Sequence, residues 1–479
     1  MEYREPSSTI KPRLIIHGGA GNILPSNFSP EKHKEYHFAL LRILAQTSKY
    51  QNTTVLSSSH NRLPSAIDVV TYAVTLLENN PLFNSGHGAV FTRDGINELE
   101  ASLMVSRGKK KRGVGVMGLR HVKNPIKLAR EMLLHGEEDI ELGNGEHRQS
   151  ATEREILGYS SGAQAHCQLH RESAEKLAKE WGLEVVEPGY FFTQTRWDEH
   201  IKGLENEKIA LENGSTGCAT WSAEDYFPQG TCGAVALDSE GVLAVATSTG
   251  GLTNKLTGRI GDTPTLGSGF WAEEWEDDSY NPLTNSASHL LRDNSSVLTL
   301  SKTLWGVLAD CFPNPYLYDL IYHDTSSKHH KVVRSTAMSG TGNGDSFLRT
   351  NAVRTASAIA RYRPSTTLQA ALSEIVAKDG ELQKSAGDRW GKTGEGEGGV
   401  IGIEFTAFRN VREEVTRTES EIVFEYNCGG LFRAFVRDDG KAESRTWRRG
   451  QHEGIEKDYP WEFEVYDLRD WADEKSVYV

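Results

Sequence analysis

Gly230-Thr231-Cys232-Gly233 stands at the head of the apolar run Ala234–Leu237. A turn, Asp238-Ser239-Glu240-Gly241, leads into a second apolar run, Val242–Ala246. That run ends in Thr247-Ser-Thr-Gly-Gly251, followed by Thr253-Asn-Lys255 and Gly258-Arg-Ile-Gly-Asp262. Such a hairpin places threonines, an arginine and an aspartate near one end of a sheet. A threonine hydroxyl is a weak nucleophile unless a base takes its proton. One arrangement needs no histidine: the threonine's own α-amine serves, provided the residue is N-terminal. An α-amine has a reference pKa of roughly 8, close to working pH. Thr231 lies mid-chain, so that chemistry requires a cut at Gly230-Thr231. The hydroxyl can make the cut by attacking the Gly230 carbonyl through an ester, and glycine leaves that carbonyl open. Read alone, a Gly-Thr pair is a turn glycine followed by a β-branched strand residue.

The pair is not alone. The block just quoted, His17-Gly-Gly-Ala-Gly21, Phe83-Asn-Ser-Gly-His-Gly88 with its continuation to Met104, and Thr341-Gly-Asn-Gly-Asp345 occur in one order along the chain. Gly398-Gly-Val-Ile-Gly402 and Tyr426-Asn-Cys-Gly-Gly-Leu-Phe-Arg433 follow as weaker echoes. Together they resemble the plant-type (type 2) L-asparaginases and isoaspartyl peptidases. These are N-terminal-nucleophile hydrolases related to glycosylasparaginase and threonine aspartase.

The resemblance implies an α+β, four-layer αββα sandwich. It would be cut into an α part (1–230) and a β part (231–479) of one domain, with an insertion at about 273–335. Thr231 becomes the nucleophile and new N-terminus, and Thr249 the second threonine that hydrogen-bonds it. Thr341 and Gly342 supply the oxyanion hole, and Asn84 supports the nucleophile and the cleavage site. Arg259 and Asp262, with Gly344, hold the substrate's α-carboxylate and α-amine. A guanidinium fork suits a carboxylate and an aspartate balances an ammonium. Arg259 and Asp262 can also be read as a mutual surface ion pair.

The family's structural monovalent cation, often sodium, would sit on backbone carbonyls of Leu77, Glu78, Phe83, Ser85 and His87; no other cofactor is implied. His17 reads as structural, His87 carries no assigned chemistry, and Cys232 should point into the core. The implied substrates are L-asparagine and β-aspartyl dipeptides, and the implied assembly is a homodimer of αβ units. Three departures leave room for other readings. These are the long stretch before Met338, a Thr341–Asp345 segment closer to glycosylasparaginase, and a long region 183–229 as in threonine aspartase. An endopeptidase of the threonine aspartase kind, a glycosylasparaginase and an unprocessed, inactive scaffold are the alternatives. An endopeptidase, however, must leave the substrate's α-amine and α-carboxylate in peptide bonds.

The elements that must hold these residues follow from patterning. Arg13–Ile16 is a strand. Ser29-Pro30-Glu31 starts a helix carrying Leu40, Leu41, Ile43 and Leu44. Residues about 49–63 read as a loop or insertion, and Pro64–Asn80 as an amphipathic helix with Ile67, Val70, Ala73, Val74 and Leu77 on one face. Two short strands, Ala89–Thr92 and Leu99–Met104, follow. A helix begins at Asn124-Pro125 and runs to about His135. Residues 136–165 are charged and polar, and Arg171–Trp181 is a helix closed by Gly182.

Residues 195–229 read as a mobile polar connector. A helix spans Ser346–Tyr362 and another about 366–378. Gly398–Ile403 and Ile422–Tyr426 are paired strands, with Leu431–Val436 a third. This order of strands and helices favours two stacked sheets covered by helix layers.

The formal charge of −13 over 479 residues argues against a nucleic-acid partner. The five cysteines, Cys167, Cys218, Cys232, Cys311 and Cys428, are widely spaced and contain no CxxC pair, so neither a zinc site nor a disulfide framework is expected. No run is apolar enough for a signal peptide or membrane span, and a cytoplasmic location is the expectation.

Overall fold

The computed structural model describes residues 10–56, 61–109, 112–141, 163, 166–214, 220–227, 230–277 and 331–472. The chain divides into two compact units. One contains residues 1–9, 274–335 and 405–420, and the other the remainder. In the smaller unit the described residues carry ion pairs between Lys331 and Glu276 at 2.8 Å and between Arg334 and Asp277 at 3.0 Å. The candidate site lies wholly within the larger unit.

A nine-stranded sheet organises the larger unit. Its strands are β1 (Arg13–Gly21), β4 (Leu99–Val105), β5 (Gly113–Leu119), β6 (Gln168–His170), β7 (Cys232–Leu237), β8 (Leu243–Thr249), β13 (Gly430–Val436), β14 (Ala442–Arg445) and β15 (Val465–Tyr466). Their order across the sheet is β15-β14-β13-β1-β7-β8-β4-β5-β6. A two-stranded hairpin, β2 (Val55–Leu56) with β3 (Asn61–Arg62), stands apart. The remaining strands are β9 (Phe270–Glu276), β10 (Lys331–Gly342), β11 (Gly398–Arg409) and β12 (Val415–Tyr426). They form a four-stranded sheet in the order β12-β11-β10-β9.

Each sheet carries helices. Against the first lie α1 (Pro30–Gln51), α2 (Ala66–Glu78) and α3 (Pro125–Glu141), and the core there includes Leu40, Val70, Leu77, Leu103, Ala234 and Phe432. The helices α6 (Gly344–Thr350), α7 (Ala352–Tyr362) and α8 (Leu368–Val376) share a second core with Met338, Val400 and Val423. Between them in the chain come α4 (Arg171–Glu180) and α5 (Gln194–Glu212). The α+β class is thus observed.

Local chemistry explains the boundaries. The Ser29 hydroxyl caps α1 at Lys32 N, with Pro30 in its first turn, and Ser65 and Asp68 form a reciprocal capping box on α2. The turn between β7 and β8 is set by Asp238, whose Oδ1 accepts the N–H groups of Glu240 and Val242, both at 2.9 Å.

Several expectations need correction. Ala89–Thr92 is not a strand, because side chains use its backbone: Asn84 Oδ1 accepts Val90 N–H at 3.0 Å, and Asn97 Nδ2 donates to the Ala89 and Val90 carbonyls at 3.1 Å. The expected loop 49–63 begins as helix, since α1 runs on to Gln51, whose amide reaches Leu237 O at 3.1 Å. α3 likewise continues past His135 to Glu141.

The supposed connector 195–229 contains the 19-residue helix α5, capped by Thr193. Its buried face is Arg196, His200 and Gly203, so it shows no apolar stripe. The single helix expected over Ser346–Tyr362 is broken at Asn351, which adopts the left-handed conformation at φ 46°. Leu431–Val436 belongs to β13 in the nine-stranded sheet, not beside Gly398–Ile403. Of the insertion expected over 273–335, residues 278–330 lie outside the described residues. Glu273 at its start is buried in β9 and accepts the Ser357 hydroxyl at 2.6 Å.

The segment after β14 is anchored by a buried carboxylate. Glu462 Oε1 accepts Trp447 N–H at 2.8 Å, and Oε2 lies 3.2 Å from His33 Nε2 and 3.7 Å from His37 Nδ1 on α1. Burial alone would raise this carboxyl, but the two imidazoles outweigh it and hold its pKa at about 2, against 4.5 ordinarily. A depressed carboxylate stabilises the fold above its unfolded pKa and loses that contribution as pH falls through the folded value. Glu462→Gln, in a Thr231→Ala background, should therefore be less stable at pH 7. Its urea midpoint should also fall less than that of the parent between pH 4.5 and about 2.

Candidate active site

The site forms where the ends of five strands meet. β1 pairs with β7 so that His17 faces Gly233, and β8 pairs with β4 so that Thr249 faces Glu100. The end of β10 brings Ser339 to Gly342 to the same place. Thr341 Oγ1 accepts Thr231 N–H at 2.9 Å and Ala20 N–H at 3.0 Å. The peptide bond that carries Thr231 N–H is Gly230-Thr231.

The Gly230 carbonyl is held from the other side. Asn84 Nδ2 donates to it at 3.0 Å and to Gly251 O at 2.7 Å, and the Thr249 hydroxyl lies 3.5 Å from the same Gly230 oxygen. Gly251 N–H donates to Thr249 Oγ1 at 3.0 Å, which orients that hydroxyl. A side chain at 230 has no room: a Cβ there would lie 2.6 Å from Gly19 Cα and 2.8 Å from Ala20 N. Thr231, Thr249, Thr341 and Asn84 are all buried. The structure thus brings together the four side chains that the sequence singled out around Gly230. In the uncut chain, however, Thr249 addresses the carbonyl of Gly230 and not the Thr231 hydroxyl.

The partner of Thr231 Oγ1 is Thr263 Oγ1, at 3.1 Å. Sequence reasoning assigned Thr263 no role, although it directly follows the Arg-Ile-Gly-Asp motif. His17 is fully buried, and its Nε2 is 2.7 Å from Ser339 Oγ. Burial lowers its pKa from 6.5 to about 3, more than offsetting the pull of the nearby Thr231 backbone. It is therefore a neutral ring holding β1 to β10. Cys232 is buried with its Sγ 3.4 Å from Ser248 O, and burial, with Glu78 beside it, pushes its thiol up.

Beside the threonines is a polar cluster. Arg259 pairs with Asp345, Nη2 to Oδ1 at 3.0 Å, and its Nε has no hydrogen-bond partner. Asp262 is 5% exposed, and its Oδ2 also lacks a partner. The surface ion pair between Arg259 and Asp262 is thus replaced by a buried aspartate with an unused oxygen. A Cβ at Gly344 would lie 2.5 Å from Asp262 Oδ1 and 3.0 Å from Arg259 Nη2, so glycine keeps this space open. Glu100, buried opposite Thr249, orders the turn by accepting Gly261 N–H at 3.0 Å. Sequence reasoning missed both Asp345 and Glu100, which no fixed spacing links to Arg259.

The turn carrying Asn84 is rich in inward-facing carbonyls. A Cβ at Gly86 would meet Glu78 O at 2.3 Å, and one at Gly88 would meet Phe83 O at 2.2 Å and Pro81 O at 2.6 Å. Leu77 O, Phe83 O and Ser85 O accept the backbone N–H groups of Asn80, Ser85 and Gly88 respectively. Neutral carbonyl oxygens of this kind fit a hard monovalent cation. Among the described residues no cluster of three or more His, Cys, Asp or Glu side chains could hold a metal ion. His87 turns outward to Tyr190 O at 2.6 Å.

Comparison with known proteins identifies the family. The asparaginase family model matches residues 10–161 and 162–276. A protein of Dictyostelium discoideum named putative isoaspartyl peptidase/L-asparaginase is 34% identical over 283 residues, covering 54% of this chain and 70% of that one. The isoaspartyl peptidase of Escherichia coli K12 is 36% identical over 259 residues, covering 54% and 67%. The isoaspartyl peptidase/L-asparaginase of Rattus norvegicus is 34% identical over 260 residues, covering 54% and 62%. The chain belongs to the asparaginase family. Thr341, Gly342, Gly344 and Asp345 lie beyond the matched residues and reach the site through the fold alone.

Asp262 gives the site a measurable signature. Burial raises its pKa from 3.8 to about 7, against the opposing pull of Arg259. A carboxyl raised in the folded state favours folding most where it is protonated, and that contribution is lost as pH rises through the folded value. Asp262→Asn should therefore raise the thermal midpoint of a Thr231→Ala protein at pH 8 by at least about 2 °C, with little change at pH 4. Thermal scans at the two pH values check this.

Proposed function

We propose that this chain is a threonine-type amidohydrolase acting on L-asparagine and β-aspartyl dipeptides, and that it matures by cutting itself at Gly230-Thr231. The observation that carries the reading is the double hold on that one peptide bond. Asn84 and Thr249 face its carbonyl oxygen, and Thr341 accepts its N–H. Attack by Thr231 Oγ on the Gly230 carbonyl carbon puts negative charge on the oxygen that Asn84 Nδ2 already faces. Collapse breaks the C–N bond, the hydroxyl proton goes to the departing nitrogen, and an ester remains. Water opens the ester to a Gly230 carboxylate and a Thr231 that bears both a free hydroxyl and a free α-amine.

In the cut enzyme the α-amine takes the hydroxyl proton as Thr231 Oγ attacks the substrate's side-chain amide carbon. The Thr341 hydroxyl, released from the scissile N–H, and Gly342 N–H face the developing oxyanion. The amine leaves with the proton, and water frees aspartate from the acyl-enzyme. Arg259 receives the substrate's α-carboxylate, and the unpartnered Asp262 oxygen receives its ammonium, over the floor left by Gly344. A buried aspartate with a spare oxygen favours a free amino-acid head over an internal peptide residue, which counts against the endopeptidase reading.

The layer order helix–sheet–sheet–helix, a dimer of αβ units and a sodium ion on the carbonyls of Leu77, Glu78, Phe83, Ser85 and His87 complete the proposal. That ion would stiffen the Asn84 turn and take no part in bond making. Among the described residues no helix is long and apolar enough to cross a membrane.

Denaturing gels, N-terminal sequencing and ammonia release from asparagine and β-aspartyl-leucine test the reading. Wild type should give two fragments, the second beginning at Thr231. Thr231→Ala should remain one chain with activity reduced at least about 10³-fold. An active protein that is never cut, or a Thr231→Ala variant that is still processed, overturns it.

A further inference from the structure

The turn that carries Asn84 is gripped from outside by one buried cation. Arg196, on α5, is 2% exposed. Its Nε donates to Gly88 O at 2.8 Å and its Nη2 to Leu82 O, so one planar group ties the chain on both sides of Asn84. Its Nη1 donates to Glu199 Oε2 at 2.9 Å, and the Tyr36 hydroxyl lies 3.5 Å from Nη2. The guanidinium is thus fixed by a carboxylate one turn along its own helix. Burial opposes its charge, but Glu199 more than offsets that cost and keeps it protonated.

The same helix holds the neighbouring segment. Asn254 Nδ2 donates to His200 O at 2.9 Å. Both donors that face the Gly230 carbonyl, Asn84 and Thr249, therefore lie in chain segments that α5 restrains.

We infer that Arg196 is the positioning residue that sets Asn84 against the Gly230 carbonyl, and that self-cutting depends on it. Arginine suits the task because a rigid fork can serve two carbonyls at once, whereas an ammonium or an amide cannot reproduce both bonds. The distinction from simple stabilisation is geometric. Loss of Arg196 frees the two flanks of Asn84, and a displacement of the order of 1 Å at a reacting carbonyl costs about 10²-fold in rate.

The inference rests on the self-cutting reading, and the test separates the two. Cleavage of freshly translated chains is followed on gels for wild type, Arg196→Gln, Arg196→Lys, Trp197→Leu and the exposed control Lys208→Ala. Thermal midpoints are measured in parallel on the same variants carrying Thr231→Ala. Arg196→Gln should cleave at least about tenfold more slowly than wild type, with Arg196→Lys between the two. Trp197→Leu, which trims α5 but leaves every bond of Arg196 in place, should cleave within about threefold of wild type, and Lys208→Ala at the wild-type rate.

Arg196→Gln cleaving as fast as wild type overturns the inference, and Arg196→Lys decides in the same way if the glutamine variant does not fold. Equal slowing by Trp197→Leu overturns it too, since stability alone would then set the rate. A wild type that is never cut refutes the reading beneath it and leaves a different signature, a single band in every lane.

Discussion

One side-chain oxygen joins the parts on which the rest of the site depends. Thr341 Oγ1 accepts the N–H groups of Ala20 and Thr231, and so ties the end of β10 to the end of β1 and the start of β7. A hydroxyl oxygen with two lone pairs is satisfied by two such donors, and its own proton is left for a third partner. The glycines around it follow from that crowding. Residue 230 passes so near Gly19 and Ala20 that no Cβ fits. Gly342 adopts φ +137°, and a Cβ there would lie 2.5 Å from Glu397 O. The motifs His-Gly-Gly-Ala-Gly and Thr-Gly-Asn-Gly are therefore two sides of one contact.

The polar cluster beside this contact is poorly satisfied by ordinary folding standards. Asp262 Oδ2 and Arg259 Nε are buried without partners, and buried polar atoms usually find one. Proteins tolerate such strain where it serves a ligand. The surrounding charges explain how it persists. Glu100 accepts Gly261 N–H, Lys255 Nζ donates to Glu98 O at 3.0 Å, and Glu98 pairs with Arg120 at 2.7 Å. The unsatisfied atoms are thus fixed by neighbours that are themselves satisfied.

How much of this was legible in the sequence depends on the range of the forces involved. The hairpin β7–β8 and the helices α1 and α2 announce themselves through local periodicity and caps such as Ser29 and Ser65. The residues at the centre were legible as motifs in a family-like order. Their distances were not, because Thr341 and Thr231 are separated by 110 residues. Thr263 went unremarked because a threonine after an aspartate carries no signal of its own. α5 was mistaken for a connector because its buried face is built from Arg196, His200 and Gly203, which no hydrophobic pattern detects. The Ala89–Thr92 stretch misled for the opposite reason: its apolar residues suggest a strand, while Asn84 and Asn97 consume its hydrogen bonds.

The strand order has a further consequence. Counting from one edge, β15, β14 and β13 come from after residue 230, β1 from before it, β7 and β8 from after, and β4, β5 and β6 from before. The two stretches of polypeptide are interleaved like shuffled cards, so neither can be withdrawn without tearing the ladders on both flanks of β1. Scission would leave the native assembly in place, but it would turn renaturation from a first-order event into a second-order encounter. A severed molecule would then owe its durability to history: it folds once, as a continuous thread, and its melting would thereafter depend on dilution.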